Sequence, residues 1–154
     1  GFTLGSTSIV IQSHIIGMFL PSLITGTLIK KFGHSTIIYS GAMIYLICIF
    51  LSFYDQTFIN YLIALVLLGI GWNFLFIGGT SLLVLCYQEN EKFKVQGFND
   101  VLVFSIQSIA SLTAGYSILK FSWNEINLAC IPLVLLIILV SIRADIYKKN
   151  IIDA

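Results

Sequence analysis

Five long apolar stretches divide this chain of 154 residues, and the basic residues fall at every second boundary between them. Lys30 and Lys31 follow the first stretch, Lys92 and Lys94 separate the third from the fourth, and Arg143, Lys148 and Lys149 end the chain. Lys120 stands alone at a boundary of the other kind. Lys and Arg are retained on the cytoplasmic side of a chain that crosses a bilayer. The pattern therefore predicts an all-α, polytopic bundle of about five transmembrane helices. It also predicts an external N-terminal segment, and cytoplasmic positions for the Lys30–Lys31 turn, the 88–100 loop and the C-terminus.

Apolar residues are 58% of the chain and charged residues 10%, against about 25% charged in a soluble domain. Too little charge is present to cover a water-facing surface. Seven Lys to one Arg is also a poor composition for reading nucleic acid, where Arg is the usual bidentate partner, so no nucleic-acid partner is expected. Cys48, Cys86 and Cys130 are isolated, with no CxxC or Cys/His spacing. They read as small apolar residues, and neither metal nor cofactor is expected.

About 20 apolar residues cross the hydrocarbon core as a helix. On that measure the spans run over about 9–29, 36–53, 58–87, 101–119 and 126–142, in one transmembrane unit covering 1–154. Residues 1 to 8 have no basic segment before an apolar run, and they read as part of an external loop. The lipid bilayer is the first partner implied. Polar residues concentrate in the first, third and fourth spans, so these are expected to line an interior, with the second and fifth outside them against lipid. Gly69, Gly71, Gly78 and Gly79, with Ser108, Ser111 and Gly115, form small-residue faces that suit close helix packing.

A few side chains within the spans can carry chemistry. Asn73 lies mid-span with Thr80 on its face, and can meet a polar solute or bond a neighbouring helix. Trp72 can stack on a planar solute or simply pack. Gln107 and Ser111 form a second polar pair at i, i+4, open to the same two readings. His14 is the one ionisable side chain inside a span, so it is a local candidate for proton sensing as well as for a buried neutral imidazole. Asn99 and Asp100 are expected to cap the start of the fourth span. Pro21 is expected to bend the first. No nucleophile with a base, carboxylate pair or ligand set lies in the spans, so an enzyme is not expected.

The segment Gly26-Thr27-Leu28-Ile29-Lys30-Lys31-Phe32-Gly33-His34 resembles the glycine-rich signature loop between two helices of the major facilitator superfamily. Gly26 would permit close helix approach, Gly33 the tight turn, and the basic pair sits at a helix C-terminus, where the dipole favours cations. Lys30 stands where the motif has Asp, which removes the motif's charged gate. Gln12–Ser22, Leu68–Phe74 and Val95–Asp100 look like helices eight, ten and the start of eleven in a bacterial branch. The resemblance covers nearly the whole chain and implies helices eight to twelve, the C-terminal portion of such a fold. It further implies alternating-access transport of a small solute across the bacterial inner membrane. The N-terminal half would be a necessary partner, and this chain a truncated or split-gene fragment, inactive alone. A small membrane scaffold that uses helix faces and transports nothing is the alternative.

Overall fold

The computed structural model describes residues 2–54 and 57–152, which form helices and turns with no strand among them. The helices are α1 (Leu4–Phe19), α2 (Ser22–Phe32), α3 (His34–Ser52), α4 (Phe58–Leu83), α5 (Lys92–Lys120) and α6 (Trp123–Ile152). Four of these, α3 to α6, are long and apolar enough to cross a membrane, and α1 with α2 makes a fifth span bent by 40°. The expected all-α polytopic bundle is therefore present. Asp55 and Gln56 of the expected second loop lie outside the described residues.

Several boundaries differ from expectation for local reasons. The Thr3 hydroxyl accepts from Ser6 N–H at 3.2 Å, so α1 starts at Leu4, within the segment read as loop. The first span breaks at Leu20–Pro21, since Pro has no N–H to continue the ladder. Helix α5 starts at Lys92, because Gln88 and Glu91 form a capping box around the short 3₁₀ turn before it. Pro132 lies inside α6, a position the apolar run concealed.

The helices stack in a row: α1 against α4, α4 against α3, and α3 against α6, with α2 touching both α3 and α4. Ala42 and Ile49 of α3 and Val134 of α6 are buried, with Tyr45, Leu46, Leu75, Ile131 and Ile138 around them. The second span was expected outermost, yet α3 lies in the middle of this row and holds six buried residues, more than any other helix. Its small residues explain this. A Cβ at Gly41 would stand 3.0 Å from Gly71 O, so α3 and α4 meet backbone to backbone. By contrast α5, expected to line the interior, has no buried residue.

Candidate functional site

The crossing of α1 with α4 is built on two glycines. A Cβ at Gly69 would lie 2.5 Å from His14 O and 2.9 Å from Gly17 C, and one at Gly17 would lie 2.8 Å from Val66 O. That close approach lets polar side chains of one helix reach the backbone of the other. His14 Nδ1 is 2.8 Å from Leu65 O, and a carbonyl only accepts, so Nδ1 carries the proton. His14 is thus engaged in helix packing.

One turn further on, the broken ladder at Pro21 is repaired by side chains. Asn73 Nδ2 donates to Met18 O at 2.7 Å, and the Ser22 hydroxyl donates to Phe19 O at 2.5 Å. The Thr25 hydroxyl lies 2.7 Å from Asn73 Oδ1 and 2.8 Å from Pro21 O, sharing its single proton between two acceptors. Asn73 and Thr25 are the largest fully buried side chains among the described residues. Asn73 therefore joins α4 to both sides of the bend, with its amide spent on protein partners.

A neighbouring flank of α4 carries rings. Trp72 stacks on Phe76 with centroids 4.7 Å apart and planes 10° apart. Phe19 of α1 approaches Trp72 edge-on at 6.5 Å, and Phe104 of α5 meets Phe76 at 6.3 Å. A four-ring row thus spans three helices near the middle of each full span. Beyond Phe104, Gln107, Ser108, Ser111 and Leu112 form one open face of α5. Gln107 and Ser111 are exposed, and no described residue is bonded to either side chain. Two polar groups without partners cannot rest against lipid mid-span without cost.

The remaining expected residues are scattered. Thr80 donates to Phe76 O at 2.6 Å, back into its own helix. Gly33 does make the tight turn: its φ is +86°, and it is both the last cap of α2 and the first of α3. Lys30 and Lys31 occupy the last turn of α2, where the dipole favours them. Gly26 is exposed with nothing within 4 Å of a Cβ, so it does not mediate a close approach among these helices. Its neighbour Thr25 is the inward residue. Asn99 and Asp100 do not cap α5, since the helix begins two turns earlier. Asn99 Nδ2 instead donates to Asp100 Oδ1 at 3.3 Å. Sequence reasoning missed Thr25, Phe19, Phe76 and Phe104 as parts of the site. Phe76 at i+4 from Trp72, and Thr25 at i+4 from Pro21, were the available signals.

The long apolar helices and their glycine crossings define a multi-pass membrane bundle. No family model matches the chain, and no solved structure matches it. Three curated proteins do. The chain is 34% identical to the riboflavin transporter RfnT of Brucella anthropi over 90% of its own length. It is 35% identical to two uncharacterized MFS-type transporters of Bacillus subtilis, YddS over 88% and YdeG over 83% of its length. The chain belongs to the major facilitator superfamily. It spans about a third of each relative's length: 35%, 33% and 30%.

Proposed function

We propose that the chain acts as part of a secondary transporter that moves a small solute across the bacterial inner membrane by alternating access. In this reading its five spans correspond to helices eight to twelve, the basic gaps face the cytoplasm, and the N-terminal half supplies the other wall of the cavity. The chain has no enzymatic role. The observation that carries the reading is the α5 strip. Gln107 and Ser111 lie exposed at mid-span on a helix with no buried residue, in a chain whose relatives are about three times as long. Such a surface needs a facing wall, and a solute path between two walls satisfies it.

Riboflavin, named for one relative, is the first solute to try. Vesicles holding the complete transporter should show saturable uptake of riboflavin or another solute, while vesicles holding only these 154 residues should show none. Saturable uptake by the 154 residues alone would refute the need for a second wall. Absence of uptake across a broad solute panel by the complete protein would count against transport itself.

A further inference from the structure

We infer that the recess beside the Gly33 turn, between the start of α3, the end of α4 and α6, binds the phosphodiester headgroup of an anionic phospholipid. The inference stands apart from the transport reading, since it needs only a chain that spans a bilayer.

The recess has a volume of about 230 Å³ and a mixed lining. Ile38, which is buried, and Leu82 make its apolar part, and Phe32, His34 and Ser141 stand around them. His34 and Ser141 are half-buried, and no described residue bonds either side chain. An imidazole N–H and a hydroxyl both donate to a phosphate oxygen, which accepts several such bonds. Gly33 sends no side chain into this space, and a Cβ there would meet nothing within 4 Å.

Charge points the same way. The Lys31 ammonium lies 5.1 Å from the centroid of Phe32, a ring of the lining. Arg143 lies on α6 between Ser141 and Ala144, which both line the recess. Neither cation has an acidic partner among the described residues, whose one ion pair joins Lys92 to Glu89. The start of α3 carries no side-chain cap and no acid in its first turn, so its dipole adds to the same positive potential. Basic recesses between spans hold lipid headgroups in this way. A small soluble anion would use the cations and leave the apolar part bare. A phospholipid uses both, with its phosphate at the cations and the root of its acyl chains on Ile38, Leu82 and Phe32.

The test is thermal unfolding of the complete, delipidated transporter in uncharged detergent, titrated with phosphatidylglycerol, with phosphatidylcholine of the same chains, and with inorganic phosphate. A saturable rise in midpoint with phosphatidylglycerol is expected, and little or none with the other two. K31Q and R143Q should each raise the half-saturating phosphatidylglycerol concentration about fivefold, the usual worth of one cation at a lipid surface. K94Q, an exposed cation at the start of α5, should change it less than about twofold. An equal response to phosphatidylcholine overturns the inference, and an equal response to inorganic phosphate overturns the lipid as the occupant. Unchanged half-saturation in K31Q and R143Q also overturns it, as does a K94Q loss as large as theirs, which would mean diffuse surface charge. If R143Q does not fold, K31Q against K94Q decides. Uptake plays no part in this readout, so a failed transport reading and a failed lipid site are told apart.

Discussion

Thr25 and Asn73, 48 residues apart in sequence, meet at 2.7 Å where the first span breaks, and Asn73 at the same time holds Met18 O at 2.7 Å. The bend is therefore fixed from across the helix interface. Pro21 interrupts the backbone ladder, and the amide of a different helix caps Met18 O, one of the carbonyls at the break.

Removing that amide should cost more than removing its hydroxyl neighbour. N73A leaves Met18 O without its Asn73 donor and Thr25 with Pro21 O as its remaining partner, and should destabilise the bundle by about 1–3 kcal/mol. T25V leaves the Met18 bond in place and should cost about 0.5–1.5 kcal/mol. Unfolding of the two variants in mixed micelles measures the difference. A T25V cost equal to or above that of N73A would show that the Met18 bond does not hold the bend.

The glycine crossing gives a paired prediction. G69A places a methyl 2.5 Å from His14 O and 2.9 Å from Met18 N, all backbone, so α1 and α4 must move apart. Overpacking of this kind costs about 1–3 kcal/mol, and the His14 and Asn73 bonds would lengthen with it. G79A meets nothing within 4 Å and should be neutral or slightly stabilising. Equal membrane levels and melting profiles for the two variants would contradict the close approach.

At the turn between α2 and α3, Gly33 is the one described residue with positive φ, at +86°. An L side chain is strained there, so G33A should cost about 1 kcal/mol or more although a Cβ would have open space around it. Its effect should exceed that of G26A, which changes neither packing nor backbone strain. A G26A variant as damaged as G33A would mean that Gly26 meets a surface beyond these helices.

Accessibility separates spent polar groups from free ones. In the complete transporter freed of Cys48, Cys86 and Cys130, cysteines at 107 and 111 should react with a membrane-impermeant thiol reagent. Cysteines at 73, where Asn73 is 1% exposed, and at the exposed Leu136, expected against lipid, should not. Labelling at 136 but not at 107 would place α5, and not α6, against lipid. A cysteine at Lys94 should react only after permeabilisation and one at Ser122 without it, which tests the orientation drawn from the basic clusters.

The approximate number of long apolar spans and their helical nature were legible in the sequence alone. These properties depend on transfer of about 20 consecutive residues into hydrocarbon, a local sum along the chain. The turn at Gly33 was legible for the same reason: one residue's allowed backbone decides it. Which polar groups are free was not legible. Asn73 and Gln107 look alike as mid-span amides, and only packing distinguishes them. Gly17 and Gly69 bring α1 close enough for Asn73 to reach Met18 O beside the break at Pro21, while Gln107 meets no backbone from its exposed helix. The placement of α3 was hidden likewise, since its near-uniform apolar surface suits lipid and a helix neighbour equally. Gly41 and Gly71, on separate helices, settle it by letting two backbones meet.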